Sequence, residues 1–356
     1  MFLFKHKRER QRVFLLGLAI GLTVSLMLVC FCDSASAFRG VHIRGPISWP
    51  SDAYKSQGTK YHVKDYNSPE DAVKELVEAL SANDEKKLFA IFGNIPSNKQ
   101  LISSGDEVSD KAERERFLQT YQEKNRIVKV SDNKAVLEVG NQDWPFPIPI
   151  LRAGKVWYFS AKEGGQEIVN RRIGRNELNA IQVCLAFVDA QREYASKDRN
   201  GDGILEYAQK FISEHGKEDG LYWEPKEGEE QSPLGPLIGM AKKEGYKKKS
   251  GSQPTPYHGY FYKILTAQGK NAPRGAYNYV INGRMVGGFA MVAYPAGYGS
   301  SGIKTFIISH DGVVYEKDLG KNTASIAQEM KKFDPDSSWR KVESKYVELS
   351  GKNTGD

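Results

Sequence analysis

Asp198, Asn200 and Asp202 stand at alternate positions in the string DRNGDG, which Gly203 closes. Short oxygen-bearing side chains spaced in this way can converge on one concavity, as loops do when they collect the six to eight oxygens that calcium takes. Asp198, Asn200 and Asp202 then fill the first, third and fifth places of the loop, Ile204 offers its carbonyl at the seventh, and Glu206 stands at the ninth. Gln209 holds the twelfth place, where a bidentate glutamate belongs. The string predicts a structural Ca2+ site of weak affinity, with a dissociation constant of roughly 10⁻⁴ to 10⁻³ M. The same oxygens also suit an Asx-rich turn in which they accept backbone N–H groups. The residues leave both readings open.

Other chemistry has less support. GYGSSG, Gly297 to Gly302, has the spacing of a dinucleotide loop, but the strand-like IKTFIIS follows it where a helix is required. A glycine-rich hairpin is expected instead. Cys184 and Ser300 are the candidate nucleophiles, with His258, His310 and Asp311 as partners, yet no G-x-S-x-G or cysteine-protease string accompanies them. His310 lies in SHDG, where Asp311-Gly312 favours the positive φ of a hairpin turn. His258 reads as a sheet-face residue among Tyr257, Tyr260 and Tyr262, and Cys184 as a core residue. No H-E-x-x-H string or multi-cysteine spacing supports zinc. No catalytic or cofactor-binding residue is expected, and the balance leans away from an enzyme.

The elements that must position these residues fall into two groups. In SPED, Ser68 caps a helix with Pro69 in its first turn, and Ala72, Val73, Leu76, Val77 and Leu80 share one face. A short apolar helix around LFAIF follows the break at Ala82 to Asp84, and a third runs from Ser109 to Lys124 with Phe117, Leu118 and Tyr121 inward. The period then switches to two in IVKV, AVLEVG and VWYFSA. Between them DWPFPIPIL carries Pro145, Pro147 and Pro149, which predicts an edge strand or an extended arm over a core. The result is an α+β domain over residues 66–172.

A second α+β domain, 173–335, opens with Asn176 as the cap of a helix whose stripe is Leu178, Ile181, Cys184, Leu185 and Val188, ending near Tyr194. After a loop-rich stretch come four strands, in YHGYFYKILTA, VGGFAMVAYP, IKTFIIS and VVYEKDL. One long helix laid on a meander is expected, followed by a polar, disordered tail at 336–356.

The chain has 356 residues and a net charge of +7. Lys5, Lys7, Arg8, Arg10 and Arg12 precede the uncharged run Val13 to Cys32, and Ala35 and Ala37 supply the small residues of a cleavage site before Phe38. Residues 1–37 are therefore an export signal, or an inner-membrane anchor if retained, since about 20 apolar residues span a bilayer. Residues 38–67 read as a linker. Removing the five basic and two acidic residues before Phe38 leaves a net of +4, so no nucleic-acid partner is expected and KKEGYKKK reads as a solvated loop. Cys184 is then the lone cysteine and no internal disulfide forms. Membrane contact is expected only through an uncleaved N-terminal segment.

The strings WPFPIPI, RRIGRNEL and PTPYHGY, with DRNGDG and TFIISHDGVVYEKDLG, make the chain from Ser68 to Asp336 resemble an uncharacterised exported bacterial family, domain of unknown function 2950. The helix with its AQREY end and the meander with a DGVVY strand also resemble the soluble part of type IV pilins and type II secretion pseudopilins. The leader of those proteins abuts their helix directly, whereas here an ASA site and a whole domain intervene, which argues against a polymerising subunit. The first domain resembles the NTF2-like cone. These resemblances imply an exported periplasmic or envelope protein, non-catalytic, that binds another envelope protein, a glycan or a small ligand. The alternative is a hydrolase using a cavity in the first domain, which convergent Asp, His or Arg would favour and a filling of Phe, Ile and Leu would not.

Overall fold

The computed structural model describes residues 63–225, 228, 230–247, 255–343 and 346, all within one compact unit. The expected export segment and nearly all of the linker lie outside the described residues. Four helices come first: α1 (Pro69–Ser81), α2 (Glu85–Phe92), α3 (Pro96–Ile102) and α4 (Glu107–Glu123). The Ser68 hydroxyl accepts the Asp71 N–H at 3.1 Å and Asp84 accepts that of Lys87 at 3.1 Å, so both caps satisfy donors that the helix leaves open. α4 starts two residues before Ser109 because Asp106, not a serine, is its cap. α3 was not legible in the sequence.

Strands β1 (Asn125–Ser131), β2 (Lys134–Val139), β3 (Trp144–Pro145), β4 (Ile150–Ala153) and β5 (Val156–Phe159) form an antiparallel sheet in the order β1-β2-β4-β5, with β3 beside β2. The proline-rich segment is thus an edge strand for only two residues. It then sends Phe146, Ile148 and Ile150 inward and enters the sheet centre as β4. Phe92, Phe146 and Phe159 meet with ring centroids 5.7 and 6.3 Å apart. With Leu137, Ile148 and Ile150 they fill the interior of this half.

α5 (Ala161–Tyr194) is a single helix of 34 residues, about 50 Å long. It does not begin at Asn176, which sits buried in its middle. Gly164 explains the early start: a Cβ there would lie 1.8 Å from the Pro147 carbonyl oxygen, so glycine lets the helix lie directly on the proline-rich backbone. Ala161, Val169 and Ile173 join the first core, whereas Ala180, Ile181, Cys184, Phe187 and Tyr194 join a second one.

The remaining elements are α6 (Gly235–Lys243), β6 (Tyr260–Leu265), β7 (Ala267–Gln268), β8 (Tyr277–Asn278), β9 (Val280–Ile281), β10 (Arg284–Met285), β11 (Ala290–Pro295), β12 (Lys304–Ser309), β13 (Val314–Asp318), α7 (Thr323–Glu329), β14 (Lys332–Phe333) and β15 (Arg340–Lys341). The main sheet runs β6-β11-β12-β13-β15, antiparallel throughout, and α5 packs across β11, β12 and β13. GYGSSG is the connection between β11 and β12, a hairpin as expected. Residues 336–343, expected in a disordered tail, instead add β15 to the sheet edge, with Lys317 over the Trp339 ring at 5.7 Å. The architecture is α+β with open sheets. No helix among the described residues is long and apolar enough to cross a membrane.

Candidate functional site

The RRIGRNEL stretch of α5 uses its polar residues to tie down other segments. Arg171 lies over the Trp144 ring at 5.0 Å. Arg172, deeply buried, donates to the carbonyls of Gln100 at 2.7 Å and Leu101 at 3.0 Å and to Glu113 at 3.4 Å. Arg175 pairs with the other oxygen of Glu113. Burial alone would raise the Glu113 carboxyl, yet Arg175 and Arg172 hold it below the usual carboxylate range. Asn176 donates to the Ser301 carbonyl at 2.9 Å, and Glu177 accepts the N–H groups of Ile303 and Lys304 at 3.0 and 2.9 Å. Burial outweighs these bonds and raises the Glu177 carboxyl to about 7.

The YHGY string meets this frame from the other side. His258 and Gly259 have φ of +49° and +74°, and Tyr257 and Tyr260 exchange backbone bonds at 2.9 and 3.1 Å. This is a two-residue hairpin turn with both central residues left-handed. His258 therefore does not stand on a sheet face. Gly259 cannot be larger, because a Cβ would lie 2.4 Å from the Asn176 amide nitrogen. The Gly259 N–H donates to Asp106 at 2.8 Å, the His258 N–H to the Tyr246 hydroxyl at 3.1 Å, and that hydroxyl to Asp106 at 2.9 Å. Asp106, 1 % exposed, thus caps α4 and anchors the turn at once.

The frame holds a set of reachable groups at its edge. The His258 Nε2 lies 3.4 Å from a carboxylate oxygen of Glu244, and its ring centroid lies 4.1 Å from that of Tyr257. Burial lowers the His258 imidazole to about 4, so it is neutral at pH 7. Burial and then the charge of Asp106 raise the Glu244 carboxyl. Arg116, one turn beyond Glu113 on α4, lies within electrostatic reach of Glu244 and Arg175. Arg116 and Glu244 are exposed, Tyr257 and His258 half-buried. Among the described residues neither the Arg116 guanidinium nor the Tyr257 hydroxyl has a hydrogen-bond partner.

Among the described residues no serine or cysteine is hydrogen-bonded to His258. The Ser300 hydroxyl donates to the Gly297 carbonyl at 3.1 Å, the Ser301 hydroxyl accepts from the Gly297 N–H at 2.9 Å, and Cys184 is buried in the second core, its thiol pushed up by burial. His310 packs between Tyr279 and Phe289 beside Asp311, in the turn between β12 and β13. Clefts of ≈ 330 and ≈ 380 Å³ lie elsewhere, one lined by Phe89, Ile95 and Lys99, the other by Pro145, Pro147, Glu163 and Arg171.

The structure brings the side chains of Asp198, Asn200, Asp202 and Glu206 together in one exposed loop. Asp198 accepts the N–H groups of Gly201 at 2.8 Å and Gly203 at 2.7 Å, and the Asn200 amide donates to Glu206 at 3.1 Å. Asp202 accepts the Ile204 N–H at 3.0 Å and pairs with Arg284 at 2.7 Å. Ile204, whose carbonyl was the fourth candidate ligand, is 45 % exposed, and Gln209 turns away to the Gly283 carbonyl at 2.7 Å. The Gly203 N–H holds Asp198, and Arg284 holds Asp202, below the usual carboxylate range. A cation at the loop centre would compete with Arg284 for Asp202, whereas the carboxylates keep lone pairs beyond those that accept the backbone N–H groups. Among the described residues no group of three or more His, Cys, Asp or Glu is placed to hold a metal ion.

Sequence reasoning missed the junction of Asp106, Tyr246, Glu244 and Arg116 with the YHGY turn. The signal present was the stripe Asp106, Asp110, Glu113, acidic at helical spacing, which says nothing of the arginines on α5 that face Asp110 and Glu113 or of the turn that binds Asp106. Comparison with curated proteins and with solved structures gives no match. Residues 63–342 match the family model described as Protein of unknown function (DUF2950), and the chain belongs to that family.

Proposed function

We propose that this chain is an exported, non-catalytic binding protein of the bacterial envelope, and that its ligand seats at the edge formed by Arg116, Glu244, Tyr257 and His258. The observation that carries this reading is the contrast within the junction. Its inner members, Asp106, Glu113, Arg172 and Asn176, are all hydrogen-bonded within the protein, while the exposed Arg116 guanidinium has no hydrogen-bond partner among the described residues. The buried frame fixes the YHGY turn before a ligand arrives, and groups ordered in advance lose little entropy on binding. Among the described residues the candidate nucleophiles Cys184 and Ser300 are held away from His258, which favours binding over hydrolysis, and the Phe and Ile side chains inside the first half disfavour a catalytic cavity there. Export is supported by the basic cluster, apolar run and ASA site before Phe38. The Asp198 to Glu206 loop is structural in this reading, with Arg284 as its counter-ion and calcium as a competitor.

Fractionation of cells expressing the full chain with a C-terminal epitope, together with thermal unfolding of wild type and Arg116→Ala in soluble envelope glycans, tests this. Export and a stabilisation that the variant loses are expected. A cytoplasmic chain, or turnover of those glycans by purified protein, would contradict it.

A further inference from the structure

We infer that the ligand of the Arg116–His258 edge is a carboxylated saccharide, a monoanionic sugar acid; this rests on the binding reading above. The charges at the edge decide the anion. Glu113 is taken by Arg172 and Arg175, Asp106 by Tyr246 and the Gly259 N–H, and Glu244 remains open beside His258. Among the described residues the Arg116 guanidinium has the charges of Glu113 and Glu244 near it but no hydrogen-bond partner, and its planar fork suits a single carboxylate in two parallel bonds. A dianionic phosphate would meet the nearby carboxylates of Glu244 and Asp106 with twice the charge of a carboxylate ligand, an unfavourable balance.

The remaining groups call for hydroxyls and a ring. Glu244 accepts, and the Tyr257 hydroxyl has no hydrogen-bond partner among the described residues, so donors and acceptors alternate as vicinal hydroxyls require. Tyr257 and His258, with centroids 4.1 Å apart and Tyr246 5.0 Å from Tyr257, offer a compact aromatic surface to the apolar face of a pyranose. A peptide carboxylate is less suited, because such groups are captured by free backbone N–H pairs. Here the N–H groups of His258 and Gly259 are both taken.

Saturation-transfer NMR and calorimetric titration of the full chain in mild detergent test this with glucuronic acid and N-acetylmuramic acid, against glucose, N-acetylglucosamine, inorganic phosphate and acetyl-Gly-Gly. Both acids are expected to bind, the neutral sugars roughly tenfold to hundredfold more weakly, and Arg116→Ala to reduce the acids to the neutral level. Arg116→Lys should recover part of the loss. Arg116 is exposed, so unchanged melting of the variants will separate binding from folding. Equal affinity for neutral sugars, or tighter binding of phosphate or acetyl-Gly-Gly lost in Arg116→Ala, would overturn the sugar-acid inference and leave the binding edge standing. No saturation of either acid at millimolar concentration would overturn the inference, and the envelope-glycan experiment above separately decides the binding reading.

Discussion

Asp106 accepts the backbone N–H of Gly259 at 2.8 Å across a separation of 153 residues. One buried carboxylate thereby caps α4 in the first half of the chain and holds the YHGY turn at the start of the meander in the second. Asp106→Ala removes the acceptor for Ser109, Gly259 and Tyr246 together. Bonds to a buried charge are each worth about 1.5–3 kcal/mol, and the donors would be left unpaired. A loss of roughly 3–5 kcal/mol in urea unfolding is expected, and Asp106→Asn should keep part of it. A change under 1 kcal/mol would mean that the junction does not carry stability.

His258 gives the protein an acid-sensitive term. Its folded value of about 4 lies below the unfolded value near 6.5, so the neutral form is favoured by folding. The stabilisation is fully present above pH 6.5 and is lost as pH falls from 6.5 towards 4, by up to about 3 kcal/mol. His258→Asn keeps a residue that tolerates the left-handed turn. The variant's stability should fall less steeply than wild type's across that window; parallel curves would contradict this.

Glu177 works in the opposite direction. Its carboxyl is raised to about 7, so it favours the folded state below pH 4.5 and loses that contribution as pH rises from 4.5 through 7. Glu177→Gln keeps an oxygen for the N–H groups of Ile303 and Lys304, so near pH 5 its stability should lie within about 1 kcal/mol of wild type. Above pH 7 the variant should become the more stable protein. Glu177→Ala should lose roughly 2 kcal/mol near pH 4.5, because two N–H groups are orphaned, and the deficit should shrink as pH rises through 7, since this variant also escapes the buried charge.

The DRNGDG loop can be tested through its counter-ion. With Arg284 on Asp202 and backbone donors on Asp198, millimolar calcium should leave the melting temperature of wild type unchanged. In Arg284→Ala the Asp202 carboxylate is released, and calcium should then stabilise, by about 2.7 kcal/mol at a hundredfold excess over its dissociation constant. A calcium-dependent rise in wild type would show that the ion displaces the arginine unaided.

The legible parts of this chain were those set by local chemistry. Ser68 with Pro69 announced α1, and the apolar spacing from Leu178 to Tyr194 announced the distal half of α5. Alternation gave the strands of the meander, and Asp311-Gly312 its turn. What stayed hidden depends on contacts between distant segments. Nothing local says that Gly164 lies against the Pro147 backbone, so the spacing starts α5 at Asn176, which looks like a cap but donates to the distant Ser301 carbonyl. Nothing local says that Asp110, Glu113 and Arg172 come together. His258 reads as a sheet-face residue because the tyrosines around it mimic alternation, whereas its positive φ puts it in a turn whose Gly259 is anchored by Asp106.

Hydrogen–deuterium exchange of the full chain, with and without a soluble digest of envelope glycans, tests the central claim most directly. The account predicts added protection confined to α4 between Glu107 and Arg116, to Glu244–Tyr246 and to the Tyr257–Tyr260 turn. Protection centred instead on Asp198–Glu206 or on the proline-rich cleft, or none at saturating digest, would contradict it.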